Sequence, residues 1–271
     1  MKNELVVVRG GGDIATGTID KLIKCGYCLL VLETERPSAI RRNVAFSEAV
    51  YEGSWKVEDV TARLAETIEE AEKIMDAGEV AIMADPECKV LDTMKPAVLV
   101  DGILAKKNLG TNRTMAPVTI ALGPGFTAGE DVDAVIETMR GHQLGRVILK
   151  GSAIPNTGIP GNVGGVTKER VIYSPAEGIL KNVRHITDTV EKGEVIAYVE
   201  TIEGKVEIQA AISGILRGMI RDGYKVTKGF KIADIDPRIS EYENCFTISD
   251  KARCIAGGVL EAILYLQNQK K

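Results

Sequence analysis

The chain has 271 residues, 34 basic and 38 acidic side chains, a net charge of −4 and only 4% aromatic residues. That balance argues against a nucleic-acid backbone or stacked bases as partners, and no apolar run approaches the roughly 20 residues of a membrane-crossing helix. A hydrophobic share of 45% supports a packed core, and an odd count of five cysteines fits a reducing cytoplasm better than a disulfide framework.

Met1-Lys2-Asn3-Glu4 leads at once into a strand expected at 4–8, so no signal peptide is expected and the expected location is cytoplasmic. Gly10-Gly11-Gly12-Asp13-Ile14-Ala15 follows, and then a helix expected over 14–24. Strand, G-x-G-x-x-A, helix is a phosphate-binding pattern, because a glycine turn aims bare backbone N–H groups at an anion. Gly10 would permit the turn, Gly12 would let a phosphate approach, and Ala15 stands where a third glycine is common. An acid is expected about 20 residues further on, and Glu33 closes the next strand, 28–32. The alternative is a glycine turn that only closes a strand–helix corner. Gly11, Asp13 and Thr16 complete the candidate contacts, with Asp13 read either as a polar ligand contact or as a helix N-cap.

Cys25-Gly26-Tyr27-Cys28 lies at the end of the first helix, the opposite end of the sheet from the glycine turn, and lacks the further ligands of a zinc site. Residues 55–66 read as either a strand or the start of a helix expected over 68–77. Further strands are expected at 79–84, 97–103, 118–122 and 145–150. These runs are short and unalternating, as in a parallel sheet buried on both faces. Asp101 ends one of them. After 118–122 comes a second loop, Gly123-Pro124-Gly125-Phe126-Thr127-Ala128, read as another G-x-G-x-x-A turn into a helix over 131–140. Strand C-terminal ends share one crevice in such a sheet, so Asp13, Thr16, Glu33, Asp101 and Thr127 are its expected polar lining, with Gly10, Gly12, Gly123 and Gly125 cradling phosphate. With only His142 and His185 present, neither a histidine triad nor a histidine metal site is expected. No catalytic residue is assigned, and no metal is expected.

Residues 151–172 are rich in glycine and proline and read as either a linker or an ordered loop bearing Asn156 and Thr157. Beyond them an ungapped repeat runs at an offset of 36: Gly178-Ile179-Leu180 with Gly214-Ile215-Leu216, Val190-Glu191-Lys192-Gly193 with Val226-Thr227-Lys228-Gly229, and Ile196-Ala197 with Ile232-Ala233. Two such half-motifs suggest a small β module similar to the lipoyl/biotinyl barrel-sandwich hybrid. Glu203 falls where those domains carry the modified lysine, so no covalent carrier is expected. A last helix is expected over 248–267, capped by Ser249 or Asp250. The expected fold is α/β. A doubly wound Rossmann-like domain spans 1–150, a connector 151–172 and the β module 173–237. A C-terminal helix within 245–271 packs on the first domain.

Several strings resemble a known family: Val8-Arg9-Gly10-Gly11-Gly12-Asp13-Ile14-Ala15-Thr16-Gly17, Arg41-Arg42-Asn43-Val44-Ala45-Phe46-Ser47-Glu48-Ala49-Val50-Tyr51, Lys107-Asn108-Leu109-Gly110-Thr111, residues 123–129 and 155–161, and Ile248-Ser249-Asp250-Lys251-Ala252-Arg253. Together and in this order they resemble the YqeB-type selenium-dependent molybdenum hydroxylase maturation proteins, whose Rossmann-like part is similar to that of XdhC-type cofactor chaperones. The resemblance implies a molybdopterin-type cofactor, or its dinucleotide form, at the glycine loops. It also implies a molybdenum hydroxylase apoenzyme or other maturation factors as partners. Homo-oligomerisation is left open. Arg41 and Lys251 are secondary candidates for charge pairing. The rival readings are an NAD(P)-dependent oxidoreductase, which Glu33 would suit, and an interaction scaffold that docks the hydroxylase through the β module.

Overall fold

The computed structural model describes residues 4–269, which divide into two compact units. Unit 1 comprises residues up to Pro37, Ala45–Thr157 and the chain from Ile248 onward; unit 2 comprises Ser38–Val44 and Gly158–Thr247.

Unit 1 opens with β1 (Leu5–Arg9), α1 (Asp13–Lys24) and β2 (Cys28–Glu33). There follow α2 (Ala49–Glu52), β3 (Ser54–Val57), β4 (Val60–Leu64), α3 (Ile68–Asp76), β5 (Val80–Ala84), β6 (Val98–Asp101) and β7 (Val118–Leu122). The short strands β8 (Thr127–Ala128), β9 (Ala134–Ile136), β10 (Val147–Ile148) and β11 (Gly151–Ser152) come next. A nine-stranded sheet runs in the order β10-β9-β7-β6-β1-β2-β5-β4-β3. Every neighbouring pair from β9 to β4 is parallel, and β10 and β3 add an antiparallel edge at either end.

The central strands are buried aliphatic runs, as a sheet covered on both faces requires. On one face Val7, Leu30, Leu32, Ala81 and Leu99 pack under Ala71 and Met75 of α3. Thr67 caps α3 by accepting the Glu70 N–H, which satisfies one of the orphan donors of a first helical turn. The long C-terminal helix, counted below as α4 (Asp250–Gln269), packs on α1, β7, β9 and β10. Gly17 of α1 and Ala252 of α4 touch so closely that a Cβ on Gly17 would stand 2.7 Å from the Ala252 Cβ.

Two sequence expectations are resolved or corrected here. The ambiguous stretch 55–66 is the β3–β4 hairpin, turning at Glu58 with φ 52°. The helix expected over 131–140 does not form. Val132, Ala134, Val135 and Ile136 are all buried, a run that suits a strand covered on both faces and not a one-sided helix. Asp131 and Asp133, read as acids favoured at a helix start, instead accept the backbone N–H groups of Thr127 and Thr119 at 2.8 and 2.9 Å.

Unit 2 contains β12 (Val171–Tyr173), β13 (Gly178–Asn182), β14 (Thr189–Val190), β15 (Val195–Thr201), β16 (Gly204–Gln209), β17 (Gly214–Met219), β18 (Lys225–Val226) and β19 (Lys231–Asp236). They form two four-stranded sheets, β12-β19-β17-β14 and β16-β15-β13-β18. Adding 36 residues maps β12–β15 onto β16–β19, and it converts one sheet order into the other. Each half therefore lends its short strand to the second strand of the other half: β14 pairs with β17 and β18 with β13. The backbone repeats the exchange: Leu216 N–H donates to Asp188 O and Leu180 N–H to Tyr224 O, both at 2.9 Å. The shared interior contains Leu180, Ile196, Val199, Leu216, Val226 and Ile232. Ser38–Val44 joins this unit, with Ile40 O accepting the Met219 N–H at 2.8 Å and Arg42 Nε donating to Met219 O at 2.8 Å.

Candidate functional site

In unit 1 the chain winds outward from β1 in two directions, through β2 on one side and β6 on the other. Ligands of open α/β sheets bind at such a reversal, outside the carboxyl ends of the strands. Gly10-Gly11-Gly12 stands at that point. Gly10 has φ +89°, and a Cβ there would lie 3.1 Å from the backbone of Ile103. A Cβ on Gly11 would meet the Ser47 backbone N at 3.0 Å, whereas one on Gly12 meets nothing within 4 Å. Gly12 is thus the open position of the loop, and it is the N-cap of α1, with no side-chain cap hydrogen bond. The first-turn N–H groups of a helix and its dipole together favour an anion at such an end.

The neighbouring candidates hold this loop in shape. Glu33 Oε1 accepts the Gly11 N–H at 2.7 Å and Oε2 accepts the Thr34 N–H at 2.9 Å. Burial pushes the Glu33 carboxyl above its ordinary pKa, opposed by these two backbone donors. Thr16 is fully buried, donates to Gly11 O at 3.3 Å and accepts the Phe46 N–H at 3.0 Å. Ser47 N–H completes the clasp on Gly11 O at 2.9 Å. Thr16 and Glu33 therefore shape the loop from behind, although both were expected to line the crevice.

Asp101, at the end of β6, is buried and faces Arg9, at the end of β1. Thr111 Oγ1 accepts from Arg9 Nη1 at 2.5 Å and donates to Asp101 Oδ2 at 2.6 Å. Arg9 Nη2 also donates to Pro86 O at 3.0 Å. Burial raises the Asp101 pKa, against the pull of Thr111, the Ile103 N–H and Arg9. Sequence reasoning missed Arg9 and Thr111. The signal was an arginine closing the buried run Leu5-Val6-Val7-Val8, since such a charge is almost never buried without a partner.

The second glycine loop departs from its expected role. It runs from β7 into β8, not into a helix, so Gly123 and Gly125 face no helix N-terminus. Gly123 has φ +78° and Gly125 φ +111°, and Cβ atoms there would stand 2.6 Å from Thr138 Oγ1 and 2.6 Å from Lys107 N. Thr127 lies 3.2 Å from Ser152 through its hydroxyl, in the β8–β11 ladder. The space at the Cβ positions of Gly123 and Gly125 is filled by Thr138 and by the Lys107 backbone.

Lys251 is brought to the site. α4 and α1 run side by side in the same sense: Gly17 meets Ala252 near their starts, and Gln267 Nε2 reaches Glu4 Oε2 at 2.7 Å near the far end. Ser249 caps α4 by accepting the Ala252 N–H at 3.2 Å. Burial and the Arg140 guanidinium lower the Lys251 pKa, while the charges of Asp13, Glu137 and Asp250 raise it. Among the described residues no hydrogen bond or ion pair holds its ammonium group. Glu137, also unforeseen, is buried and accepts the N–H groups of Met139 and Ile154 at 2.7 and 2.8 Å. Arg41 belongs to unit 2, donating to Asn244 O at 2.7 Å.

No protein-family model matches the chain. It is 52% identical over 267 residues to the uncharacterized protein YqeB of Escherichia coli (strain K12), covering 98% of this chain and 48% of that protein. The chain thus spans about half the length of the curated relative it matches. Among solved structures, a succinylglutamate desuccinylase/aspartoacylase from Rhodobacter sphaeroides aligns over 88% of this chain and 86% of its own, at 12% identity and a TM-score of 0.29. The ectoine utilization protein EutE (DoeB) from Ruegeria pomeroyi, in its apo form, aligns over 86% of each chain at 11% identity and a TM-score of 0.26. Similarity at that level carries no argument about fold or activity. No described helix is long and apolar enough to cross a membrane.

Proposed function

We propose that this chain is an accessory protein in the maturation of a selenium-dependent molybdenum hydroxylase, and that it binds a phosphate-bearing, molybdopterin-type cofactor at the α1 N-terminus. Unit 1 is read as Rossmann-like and unit 2 as a barrel-sandwich hybrid without a carrier lysine. The observation that carries the reading is Gly12: at the reversal point of the sheet, it opens a helix that no side chain caps, with free space where its Cβ would be. The Lys251 ammonium adds a cation without an ion-pair partner among the described residues. These residues suit a phosphate or pyrophosphate group, which the cofactor would supply. The chain's own part is to bind and orient that group, and the hydroxylase apoenzyme or another maturation factor is the partner that receives it.

In the rival NAD(P) oxidoreductase reading Glu33 would accept a ribose hydroxyl in addition to the N–H groups of Gly11 and Thr34 that its two oxygens already accept. The test is acid-iodine oxidation of natively purified protein, followed by detection of pterin fluorescence. Pterin released by the wild type and lost in a Gly12→Trp variant supports the reading. Absence of pterin from protein made in a host that synthesises the cofactor overturns it.

A further inference from the structure

Unit 2 keeps an aromatic pair on its surface just beyond β19. Of the two ring pairs among the described residues, Tyr224 and Phe230 pack against the interior of the unit. Tyr242 and Phe246, with ring centroids 5.5 Å apart, are instead 45% and 40% exposed. Ile239, three residues before Tyr242, is 60% exposed. The chain has only four phenylalanines, and Phe246 is the exposed one: Phe46 and Phe126 are buried and Phe230 is partly so. The segment that carries these side chains is tied down from beneath. It turns as 3₁₀ helix over Ile239–Cys245, and Cys245 is buried in the interior of unit 2. Arg41 Nη2 donates to Asn244 O at 2.7 Å, and the Phe246 N–H donates to Glu243 O at 3.0 Å. The rings are thus held in place before any partner arrives, which lowers the ordering cost of binding. Ser240, Glu243 and Thr247 are exposed beside them, as in the polar rim around an interface core rich in Tyr and Phe.

The relative YqeB points to what covers such a face. The 267 matched residues are 48% of that protein, so about as many residues again lie outside the match on the same chain. We propose that Ile239, Tyr242 and Phe246 form a docking face for polypeptide similar to the half of YqeB outside the match, which lays an apolar patch of its own over the two rings. Bodies joined on one chain meet at an effective concentration of about millimolar, so a small apolar face suffices to dock them. The proposal does not depend on the ligand at Gly12.

The test uses whole YqeB, which carries both halves. The photo-cross-linker benzoylphenylalanine is placed at its position matching Tyr242 or, as a control, at the position matching Ile202, which is fully exposed at the β15–β16 turn. After irradiation the protein is digested and the cross-links are mapped by mass spectrometry. The docking face predicts cross-links from the Tyr242 position into the half outside the match, several-fold more than from the control. Hydrogen exchange is also measured over 239–246 in this chain and over the matching residues of YqeB, and coverage predicts exchange slowed several-fold in YqeB. Cross-links confined to the matched half, cross-links no more frequent than from the control, or exchange as fast in YqeB as in this chain overturn the proposal. A covalent dimer of two YqeB chains would make the patch a self-association face and overturns it as well. Circular dichroism of the labelled proteins separates a lost contact from a lost fold.

Discussion

Glu33 Oε1 accepts the Gly11 N–H at 2.7 Å, so the acid at the end of the second strand clasps the glycine loop that follows the first. Burial raises its pKa against the two backbone donors. A carboxyl whose folded pKa is raised contributes stability that is fully present below its unfolded value, about 4.3 for glutamate, and that is lost as pH rises through the folded value. Urea denaturation of the wild type and Glu33→Gln across this range should show the wild-type advantage shrinking as pH rises. An advantage that grows with pH would mean that the fold prefers the carboxylate. Glu33→Ala, which leaves the Gly11 N–H without its acceptor, should cost about 1–3 kcal/mol.

The two glycine loops respond differently to a single methyl group. At Gly12 the Cβ position is open and φ is −65°, so Gly12→Ala should cost only the change of N-cap residue, about 0.5–1 kcal/mol. At Gly125, φ is +111° and the Cβ would stand 2.6 Å from Lys107 N, so Gly125→Ala should cost about 2 kcal/mol or more from backbone strain and overpacking. Thermal denaturation of both variants checks the contrast, and equal effects would contradict the assigned geometry.

Much of the parallel core was legible because its strands are unbroken aliphatic runs and its first glycine turn sits directly after one. The repeat was legible at three short strings because Gly178 and Gly214 carry the same burden, each lying close against the backbone of the paired strand, at Glu200 and Asp236. The pattern failed where one residue type serves two purposes. Gly125 looked like a phosphate turn, yet it admits the backbone of Lys107. Asp131 and Asp133 looked like a helix start, yet they bind N–H groups of neighbouring strands. Ser38–Val44 carries no periodicity that assigns it to unit 2. Its place depends on the β17 bulge between Leu216 and Gly218, and on the bare Gly218, where a Cβ would lie 2.8 Å from Ile40 Cγ2.

Arg9 and Asp101 are both buried, 3.6 Å apart, with Thr111 bonded to each. Removing one member of a buried pair strands the other charge, at a cost of about 3–5 kcal/mol. Arg9→Met should therefore destabilise strongly, and adding Asp101→Asn should recover part of the loss. A double-mutant cycle in urea measures this coupling. Strict additivity of the two changes would show that the pair does not act as a unit.

Glu58 gives the opposite pH dependence. It accepts the Ile248 N–H at 2.9 Å and Arg253 Nη2 at 2.5 Å, tying the β3–β4 turn to the start of α4. Burial would raise its pKa, but the Ile248 N–H, Arg253 and Lys24 outweigh this and hold it below the ordinary value. A depressed carboxyl contributes stability that is present above its unfolded pKa and lost as pH falls through the folded one. Because Arg253 is substantially exposed, the pair should be worth about 0.2–1 kcal/mol. Glu58→Gln should therefore lower the melting temperature modestly at neutral pH, with the gap to the wild type closing in acid. Added salt should narrow the same gap at neutral pH by screening the pair. A gap that persists below the folded pKa would point to the turn backbone at Glu58, φ 52°, as the source of the effect.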